Sequence, residues 1–326
     1  MKALIYEGVE TLTHRDAPPP QPAPGEELIR IEAVGICGSD MHAYLGHDNR
    51  RPAPLILGHE AAGTIETGPR AGERVTINPL VTNPDSLYSR QGRENLCPDR
   101  QIISMPPREG AFAQFLAMPA RNLVTIPDHV PTDRAALAEP LAVSWHAARL
   151  GLVALHPDSE RTALVIGGGA IGLAAALCLR AQGCDAITIS EPNAARRGYL
   201  IDTCGEKAVK APDKMFDLVV DAVGFAATRA AASHCVRPGG VIVHIGLGED
   251  EGGLDIRRMT LQEITFIGTY TYSAQDFRDT AAALFDGRLG PLDWFEVRDL
   301  SDGADAFRAL RAGEVAAPKI VLHPWH

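Results

Sequence analysis

The stretch "VIGGGAIGLAAALCLRAQGC", residues 165–184, constrains the fold more than any other part of the chain. An apolar strand leads directly into Gly167, Gly169 and Gly172, which have G-x-G-x-x-G spacing, and an Ala/Leu-rich helix follows. The first glycine permits a tight turn, the second lets the backbone approach a pyrophosphate, and the third allows close helix packing. The N–H groups at the start of the helix face the anion. Because the whole strand–turn–helix context is present, the segment predicts a dinucleotide-binding βαβ unit.

An acidic residue follows the glycines at the distance typical of a ribose ligand. Glu191 lies nineteen residues beyond Gly172, at the end of the next apolar strand. A carboxylate there accepts hydrogen bonds from the adenosine ribose and repels a 2′-phosphate, which favours NAD over NADP, whereas Arg196 and Arg197 are evidence for NADP. The predicted cofactor-binding residues are Gly167, Gly169, Ala170, Ile171, Gly172, Glu191, Arg196, Val223, Gly246 and Leu247.

The length and the order of elements predict two domains of α/β class, because 326 residues exceed the usual size of one core. Residues 1–130 carry short alternating runs such as "KALIYE" and "ERVTIN", which predict a mainly β domain. Residues 133–150 predict a helix interrupted at Pro140. From "TALVIGGG" onward, apolar strands alternate with helical connections, which predicts a parallel, doubly wound sheet. The tail after about residue 290 reads as strand, helix and strand, and periodicity assigns it to neither domain.

The charge balance excludes several classes of partner. The formal net charge of -10 opposes binding to nucleic acid and to anionic lipid, so a small-molecule partner is expected and no nucleic acid or membrane. The longest apolar run, Ala163 to Leu179, is too short for a membrane span and carries a glycine cluster. The first residues show no signal peptide, and the six cysteines contain no CxxC pair, which together indicate a cytoplasmic protein with reduced thiols.

Two short segments of the first half contain the ligand types that zinc accepts. "GICGSDMH" supplies Cys37, Ser39 and His42, and "LILGHEAAG" supplies His59 and Glu60. Taken singly, Cys37 is more often a small buried hydrophobe and His59 a hydrogen-bonded core histidine. In one chain with a dinucleotide-binding unit, the same residues favour a metal site.

These motifs together resemble those of the zinc-containing alcohol dehydrogenase superfamily of medium-chain dehydrogenases. The resemblance covers essentially the whole chain, through "GICGSDMH", "GHEAAG", "GAFAQF", "AEPLAVSWHA" and "GGGAIG". It implies a GroES-like catalytic domain of residues 1–143 and 291–326, and a Rossmann NAD-binding domain of residues 144–290. It also implies a homodimer or homotetramer.

The resemblance implies one catalytic zinc per chain, held by Cys37, His59 and an acidic residue. Two acids compete for that role: Glu60, the motif glutamate of polyol-dehydrogenase-like relatives, and Glu139 of "EPLA". One thiolate and one carboxylate neutralise Zn²⁺, whereas a second carboxylate makes the site anionic and weakens its power to acidify an alcohol. One tightly bound and one exchanging carboxylate are therefore expected.

The implied chemistry is oxidation of a secondary alcohol, with hydride passing to the nicotinamide and a proton leaving through a relay. Ser39 and His42 match the relay positions of the family, and Ser39, His42, Glu60 and Glu139 form the predicted catalytic set. Two alternatives remain open: a zinc-free quinone or enone reductase of the same superfamily, and a non-catalytic dinucleotide-binding protein on the same fold.

The predicted substrate class follows the sorbitol, threonine and galactitol-phosphate dehydrogenase branch, which implies a polyol, a sugar acid or a sugar phosphate. His47, Asp48, Arg50 and Arg51 precede the zinc histidine, and Tyr270 and Tyr272 follow the last apolar strand. An arginine pair can bind phosphate or carboxylate bidentately, although a charged loop is more often simply solvated. The substrate stays open at this point.

The polar loop "VTNPDSLYSRQGRENLC", residues 81–97, ends in a single cysteine. In relatives with a second, structural zinc, four cysteines occupy this lobe, and the equivalent positions here are Asn83, Ser86, Ser89 and Cys97. One thiol cannot make a closed Cys₄ site, so no second zinc is expected. Cys97 is predicted to be a partly buried free thiol, and without a metal the lobe must be ordered by turn hydrogen bonds from Asn83, Asp85 and Ser86 or by a partner chain, or else stay mobile.

Overall fold

A computed structural model describes residues 1–325 and divides the chain into two compact units. The first unit comprises Met1–Glu139, Ser273–Asp286 and the segment from Phe295 onward, and the second comprises Pro140–Tyr272 and Gly287–Trp294. The α/β class, with a β-rich unit and a parallel-sheet unit, confirms the predicted fold class.

The strands and helices are named in chain order. The strands are β1 (Lys2–Gly8), β2 (Thr11–Asp16), β3 (Glu26–Gly35), β4 (Leu55–Ile56), β5 (Glu60–Ile65), β6 (Arg74–Ile77), β7 (Leu80–Val81), β8 (Gln101–Ile102), β9 (Phe115–Pro119), β10 (Leu123–Thr125), β11 (Thr162–Ile166), β12 (Ala186–Ser190), β13 (Ala208–Val209), β14 (Phe216–Asp221), β15 (Val236–His244), β16 (Thr265–Gly268), β17 (Phe295–Asp299) and β18 (Lys319–His323). The helices are α1 (Gly38–Tyr44), α2 (Leu87–Arg90), α3 (Thr132–Ala136), α4 (Ala138–Ala154), α5 (Ala170–Ala181), α6 (Ala194–Asp202), α7 (Ala226–Cys235), α8 (Ile256–Leu261), α9 (Ala274–Phe285) and α10 (Gly303–Ala312).

The sheet of the first unit is built around β3. Its strand order is β10-β6-β5-β3-β18-β17, with β9 also paired to β3, and all pairs are antiparallel except β17 with β18. Buried aliphatic side chains such as Ile29, Ile31 and Leu322 form the core beneath it. Gly35, at the end of β3, lies opposite Glu60 on one side and Val321 on the other. This register brings the start of β5 and the start of β18 to the end of one strand.

The second unit contains a parallel sheet of order β13-β12-β11-β14-β15-β16. Its central strands are apolar on both faces, as expected for a sheet that helices cover on two sides. The strand order reverses direction between β11 and β14. Doubly wound folds bind ligands at the carboxyl ends of the strands beside such a switch point.

Two boundaries differ from the sequence prediction. The helical stretch 133–150 breaks at Leu137, and Pro140 lies in the first turn of α4, where its missing N–H has no helical acceptor to lose. The second difference is α9, which groups with the first unit although residues 144–290 were predicted as one domain. Contacts within the first unit explain this, because Ala274 N donates to Glu94 and His129 lies 3.1 Å from the Phe285 carbonyl oxygen. The exact domain limits stay a prediction.

Candidate active site

Three residues from two loops of the first unit form a group of metal-binding atoms. Cys37 follows β3 and caps α1, while His59 and Glu60 lie where β5 begins. One ligand atom of each lies within 4.8 Å of the others, and this is the only such His, Cys, Asp and Glu group found within residues 1–325. Glu60 lies over Gly35, where an added Cβ would overlap its carboxylate oxygen. Thiolate, imidazole and carboxylate suit zinc, and three protein ligands leave a position for an exchangeable oxygen.

Asp40 is a further member of the site that the sequence motifs contained but the prediction left without a role. Its Oδ1 lies 3.4 Å from His59 Nδ1, an ion-pair contact too long for a good hydrogen bond. Its two oxygens also accept hydrogen bonds from the backbone N–H groups of Cys37 and Gly58. A carboxylate beside one imidazole nitrogen fixes the ring orientation and leaves the other nitrogen for a metal.

The charges of this cluster shift the pKa values of its members. Burial raises the pKa of Asp40, but the charges of His59 and Arg51 and the hydrogen bond from the Cys37 backbone outweigh it, so the pKa is lowered. Burial lowers the pKa of His59, but the charges of Asp40 and Cys37 raise it well above its usual value. This shift favours the protonated form of His59 in the absence of a metal, and a metal competes with that proton for the ring.

Lys319, at the start of β18, is the cation that sequence reasoning missed. Its Nζ donates to both carboxylate oxygens of Glu60 at 2.7 Å and to the Ile36 carbonyl at 2.9 Å. Burial lowers the pKa of Lys319, but the charges of Glu60 and Cys37 outweigh it and raise the pKa. A single lysine at the start of a buried apolar strand was the only signal in the sequence.

Glu139 lies near this pair but outside the three-residue metal group. It occupies the first turn of α4, is 6% exposed, and its charge also contributes to the raised pKa of Lys319. The structure thus brings Glu60, not Glu139, together with Cys37 and His59. Which acid binds zinc stays a prediction.

The predicted relay residues lie on one helix. Ser39 and His42 are three positions apart on α1, a spacing that places side chains on neighbouring turns of one face. Ser39 Oγ lies 3.4 Å from His59 Nε2, so the hydroxyl adjoins the nitrogen that faces the metal group. His42 is half-buried, and its ring meets that of His47 edge-on at 6.3 Å.

The two arginines considered for a substrate anion already have a counter-ion. Arg50 donates to both carboxylate oxygens of Asp48, and Arg51 Nη1 lies 2.6 Å from Asp48 Oδ2. Arg51 is 3% exposed. Among the predicted substrate contacts of the second unit, Tyr272 is also buried, whereas Tyr270 is half-buried.

In the second unit, the predicted glycines form a close turn between β11 and α5. Gly167 has φ of 98°, a conformation that favours glycine, and a Cβ on Gly172 would overlap the Gly167 carbonyl oxygen. Gly169 is the N-cap of α5, and Ala170 and Ile171 begin the helix. Because an N-cap without a side chain leaves the first N–H groups of a helix uncovered, this turn fits a pyrophosphate.

Glu191 lies directly after β12 and is buried rather than solvated. Its Oε2 accepts from Gly168 N at 2.9 Å and its Oε1 accepts from Asn193 N at 2.8 Å. Arg196 Nη1 lies 3.7 Å from Glu191 Oε2. The carboxylate is thus fixed beside the glycine turn, where the adenosine ribose of a dinucleotide is bound in this type of unit.

The other predicted cofactor residues follow the next two parallel strands. Val223 lies after β14, and Gly246 and Leu247 lie after β15. A Cβ on Gly246 would overlap Val223, and Asp221 accepts hydrogen bonds from the N–H of Val223 and of Gly224, both at 3.0 Å. Asp221, which the sequence analysis did not single out, therefore holds this loop in place.

Comparison with known proteins gives a family for this architecture. Residues 23–128 match the alcohol dehydrogenase GroES-like domain, and residues 170–286 match the zinc-binding dehydrogenase domain. A probable diacetyl reductase, (R)-acetoin forming, of Saccharomyces cerevisiae is 32% identical, over 89% of this chain and 81% of its own. The chain belongs to the zinc-containing alcohol dehydrogenase superfamily.

Two further proteins show its position among these dehydrogenases. Sorbitol dehydrogenase of Macaca fascicularis is 29% identical, over 83% of this chain and 81% of its own. The structure of a cobalt- and zinc-bound thermostable alcohol dehydrogenase from Pyrobaculum aerophilum has a TM-score of 0.87 and 26% identity, covering 99% of each chain. These matches confirm the predicted medium-chain dehydrogenase family and its polyol dehydrogenase branch. They also confirm the predicted cofactors, zinc and NAD.

The loop that carries the structural zinc in other alcohol dehydrogenases is closed by hydrogen bonds here. Ser86 Oγ donates to Ser89 Oγ at 2.8 Å, and Ser89 Oγ donates to the Asn83 carbonyl at 2.6 Å. Cys97 is fully buried, not partly buried as predicted. Burial raises its pKa, but hydrogen bonds from Ser86 and from the backbone of Asn83 and Asp99 lower it overall. One hydrogen-bond network therefore still links the four positions.

No helix within residues 1–325 of this dehydrogenase has both the length and the apolar character needed to cross a membrane.

Proposed function

We propose that this chain oxidises a secondary hydroxyl of an uncharged polyol with NAD, at a zinc ion held by Cys37, His59 and Glu60. The observation that supports this function most strongly is the meeting of these three ligand atoms within 4.8 Å. Cys37 lies after β3, and His59 and Glu60 lie where β5 begins. The pairing register of β3 and β5 brings these two segments together. Family membership supplies the reaction type, and the site supplies the residues.

When bound, zinc supplies a Lewis acid for the alcohol oxygen and NAD supplies the hydride acceptor. Asp40 holds the His59 ring by its Nδ1 side, so that Nε2 is left to bind the metal. Ser39 Oγ, 3.4 Å from that nitrogen, accepts the alcohol proton and gives up its own proton toward His42. Glu191 holds the adenosine ribose.

Glu60 and Glu139 share one role in this proposal. Glu60 is the acid that joins Cys37 and His59, and Lys319 neutralises it when it is not bound to the metal. Glu139 is the exchanging acid at the edge of the group. Because only one carboxylate is bound at a time, the site keeps the charge balance that acidifies an alcohol.

The pairing of the arginines supports a neutral substrate. Asp48 lies against both Arg50 and Arg51, and a substrate phosphate or carboxylate would have to compete with it. A buried guanidinium that already has a carboxylate partner gains little from a second anion. Of the three predicted substrate classes, the polyol fits this loop best.

Metal analysis and a substrate panel test the proposal together. The purified chain should contain one zinc and reduce NAD with at least one polyol more readily than with aldonates or sugar phosphates. Cys37→Ser should abolish zinc retention and alcohol oxidation while NAD binding persists. Cys204→Ser is the matched control, since Cys204 is also half-exposed but lies in the second unit.

Three outcomes would contradict the proposal. Alcohol oxidation that persists after Cys37→Ser would exclude the metal site, and metal-independent reduction of an enone would favour the zinc-free reductase. Absence of hydride transfer with zinc and NAD both bound would favour a non-catalytic protein. The homodimer or homotetramer implied by the family stays a prediction, which sedimentation velocity can test.

A further inference from the structure

Arg51 is a buried cation that the proposed chemistry does not yet use. It is 3% exposed, and its guanidinium connects three separate segments of the first unit. Nη1 contacts Asp48 Oδ2 at 2.6 Å and the Ser39 carbonyl at 3.3 Å, and Nη2 lies 3.5 Å from Ser39 Oγ. Burying a charge is costly unless it is paired, and Asp48 supplies that pairing.

The third segment is held in an unusual conformation. Arg51 Nε donates to the carbonyl and the hydroxyl of Ser104 at 3.0 and 3.3 Å. Ser104 has φ of 66° and is fully buried, and a non-glycine residue persists in this region only where its surroundings impose it. The guanidinium is thus fixed on the Ser104 side, which leaves little freedom for the nitrogens that face Ser39.

We propose that Arg51 is a positioning residue for the Ser39 hydroxyl, an inference that rests on the relay role of Ser39 in the proposed function. A serine oxygen has two lone pairs and one proton. Arg51 Nη2, 3.5 Å from Ser39 Oγ, is a long and weak charged donor to one lone pair, which leaves the second to accept the proton of the substrate alcohol. The proton of Ser39 itself then leaves toward His42, so one proton enters Ser39 as one departs.

The contact to the Ser39 carbonyl strengthens this role. Because Nη1 and Nη2 of one planar guanidinium reach the carbonyl and the hydroxyl of the same residue, at 3.3 and 3.5 Å, they restrain both the backbone and the side-chain torsion of Ser39. A lysine at this position would provide a charge but no planar pair of donors. The positioning function therefore depends on guanidinium geometry and not only on positive charge.

The test is a double-mutant cycle on the zinc-loaded enzyme with its best polyol. Arg51→Gln should lower kcat about 10-fold, the low end of the effect of a charged donor because the contact is long, with KM nearly unchanged. In a Ser39→Ala background the same change should alter kcat less than about threefold. Arg51→Lys should recover only part of the lost kcat.

Arg50→Gln is the matched control, because Arg50 pairs with the same Asp48 but its side chain is 60% exposed. Its kcat should stay close to that of the wild type. Every variant is also measured for zinc content, NAD affinity and melting temperature. These values distinguish a fall in kcat caused by loss of structure from one caused by impaired proton transfer through Ser39. If Arg51→Gln does not fold, Arg51→Lys is used instead for the double-mutant cycle, in the wild-type and the Ser39→Ala backgrounds.

An equal fall in kcat on changing Arg51 in the wild-type and the Ser39→Ala backgrounds would overturn the inference, since Arg51 would then not act through Ser39. A fall that follows zinc loss would overturn it as well. If Ser39→Ala leaves kcat unchanged, the relay of the proposed function fails and this inference with it. In that case the metal site itself would still stand on the Cys37→Ser result.

Discussion

Lys319 donates to both carboxylate oxygens of Glu60 at 2.7 Å, although the two residues are separated by 259 positions in the chain. Both are essentially inaccessible to solvent. The pair therefore neutralises the acid that the metal group would otherwise leave as an uncompensated buried charge. Lys319 and a metal ion compete for the same two oxygens. The contribution of the Lys319–Glu60 pair to the free energy of unfolding can therefore be measured by removing the metal.

Replacing Lys319 with Met should destabilise the zinc-free protein far more than the zinc-loaded one. Removing one partner of a buried pair costs about 3–5 kcal/mol because the other charge stays buried. Zinc replaces the missing positive charge beside Glu60, so the loss of unfolding free energy should be smaller when the metal is bound. The free energy of unfolding in urea, with and without a chelator, gives both values.

Lys319→Arg serves as the control for that experiment, since it keeps a buried cation beside Glu60. An equal loss of stability in both metal states would show that zinc does not interact with the Glu60 carboxylate.

The two candidate acids should differ in their effect on zinc affinity. Glu60 belongs to the three-residue metal group, whereas Glu139 lies outside it. Glu139→Gln should weaken zinc binding by about 10- to 100-fold, as residues just beyond the ligands do, and Glu60→Gln should weaken it more. Competition with a chromophoric chelator measures both, and the reverse order would make Glu139 the ligand.

Some parts of the site could be predicted from sequence because their signals are local. Gly167, Gly169 and Gly172 lie within six residues of one another, and one strand–turn–helix unit requires all three. The candidate ligands Cys37 and His59 lie in short motifs whose residue types are themselves uncommon. Local spacing and ligand chemistry indicated these candidates, and the resemblance to a family supplied the ligand set and the roles.

Other parts depend on long-range pairing that a sequence does not display. Lys319 reaches Glu60 only because β18 pairs with β3, and a lysine at a strand start is ordinarily solvated. Arg50 and Arg51 look alike in sequence, yet one side chain is exposed and the other is buried against Ser104. Burial of a charge follows from tertiary packing, so no periodicity distinguished them.

Asp48 should contribute stability that disappears in acid. Burial raises its pKa, but hydrogen bonds and charges of Arg50 and Arg51 lower it to about 2. A carboxyl with a depressed folded-state pKa stabilises above its unfolded pKa of about 4 and loses that contribution as the pH falls toward about 2. After solvent screening, the contribution should be on the order of 1 kcal/mol at neutral pH.

Urea unfolding of the wild type and of Asp48→Asn at several pH values measures this contribution. The stability difference between the two proteins should be constant above about pH 5 and should narrow below about pH 4. A difference that is independent of pH would mean that the charge of Asp48 is not responsible.

Cofactor preference should depend on the charge of Glu191. Glu191→Ala removes the acceptor for the ribose hydroxyls, so kcat/KM for NAD should fall about 10- to 100-fold. Glu191→Gln keeps a hydrogen-bonding side chain and removes only the charge, so it should retain more NAD activity while accepting NADP better than the wild type. Arg196, 3.7 Å from the carboxylate, can then bind the 2′-phosphate. A wild type that prefers NADP would contradict this role for Glu191.

The lobe around Cys97 should accept a metal when its lost ligands are restored. The Ser86 and Ser89 hydroxyls lie 2.8 Å apart, Ser89 also donates to the Asn83 carbonyl, and Ser86 and the Asn83 backbone hydrogen-bond to Cys97, so the four positions are neighbours in one hydrogen-bond network. In a tetrahedral zinc site with Zn–S of about 2.3 Å, the sulfur atoms lie about 3.8 Å apart, roughly 1 Å further than these oxygens, so the lobe must expand by about that distance. The triple variant Asn83→Cys, Ser86→Cys, Ser89→Cys should therefore bind a second zinc and melt at a higher temperature.

Cobalt substitution reports the thiolate site by absorbance, and adding Cys97→Ser should abolish that signal while the catalytic metal remains. A triple variant that still holds one zinc per chain would show that hydrogen bonds have fixed this lobe in a shape no longer compatible with four thiolates.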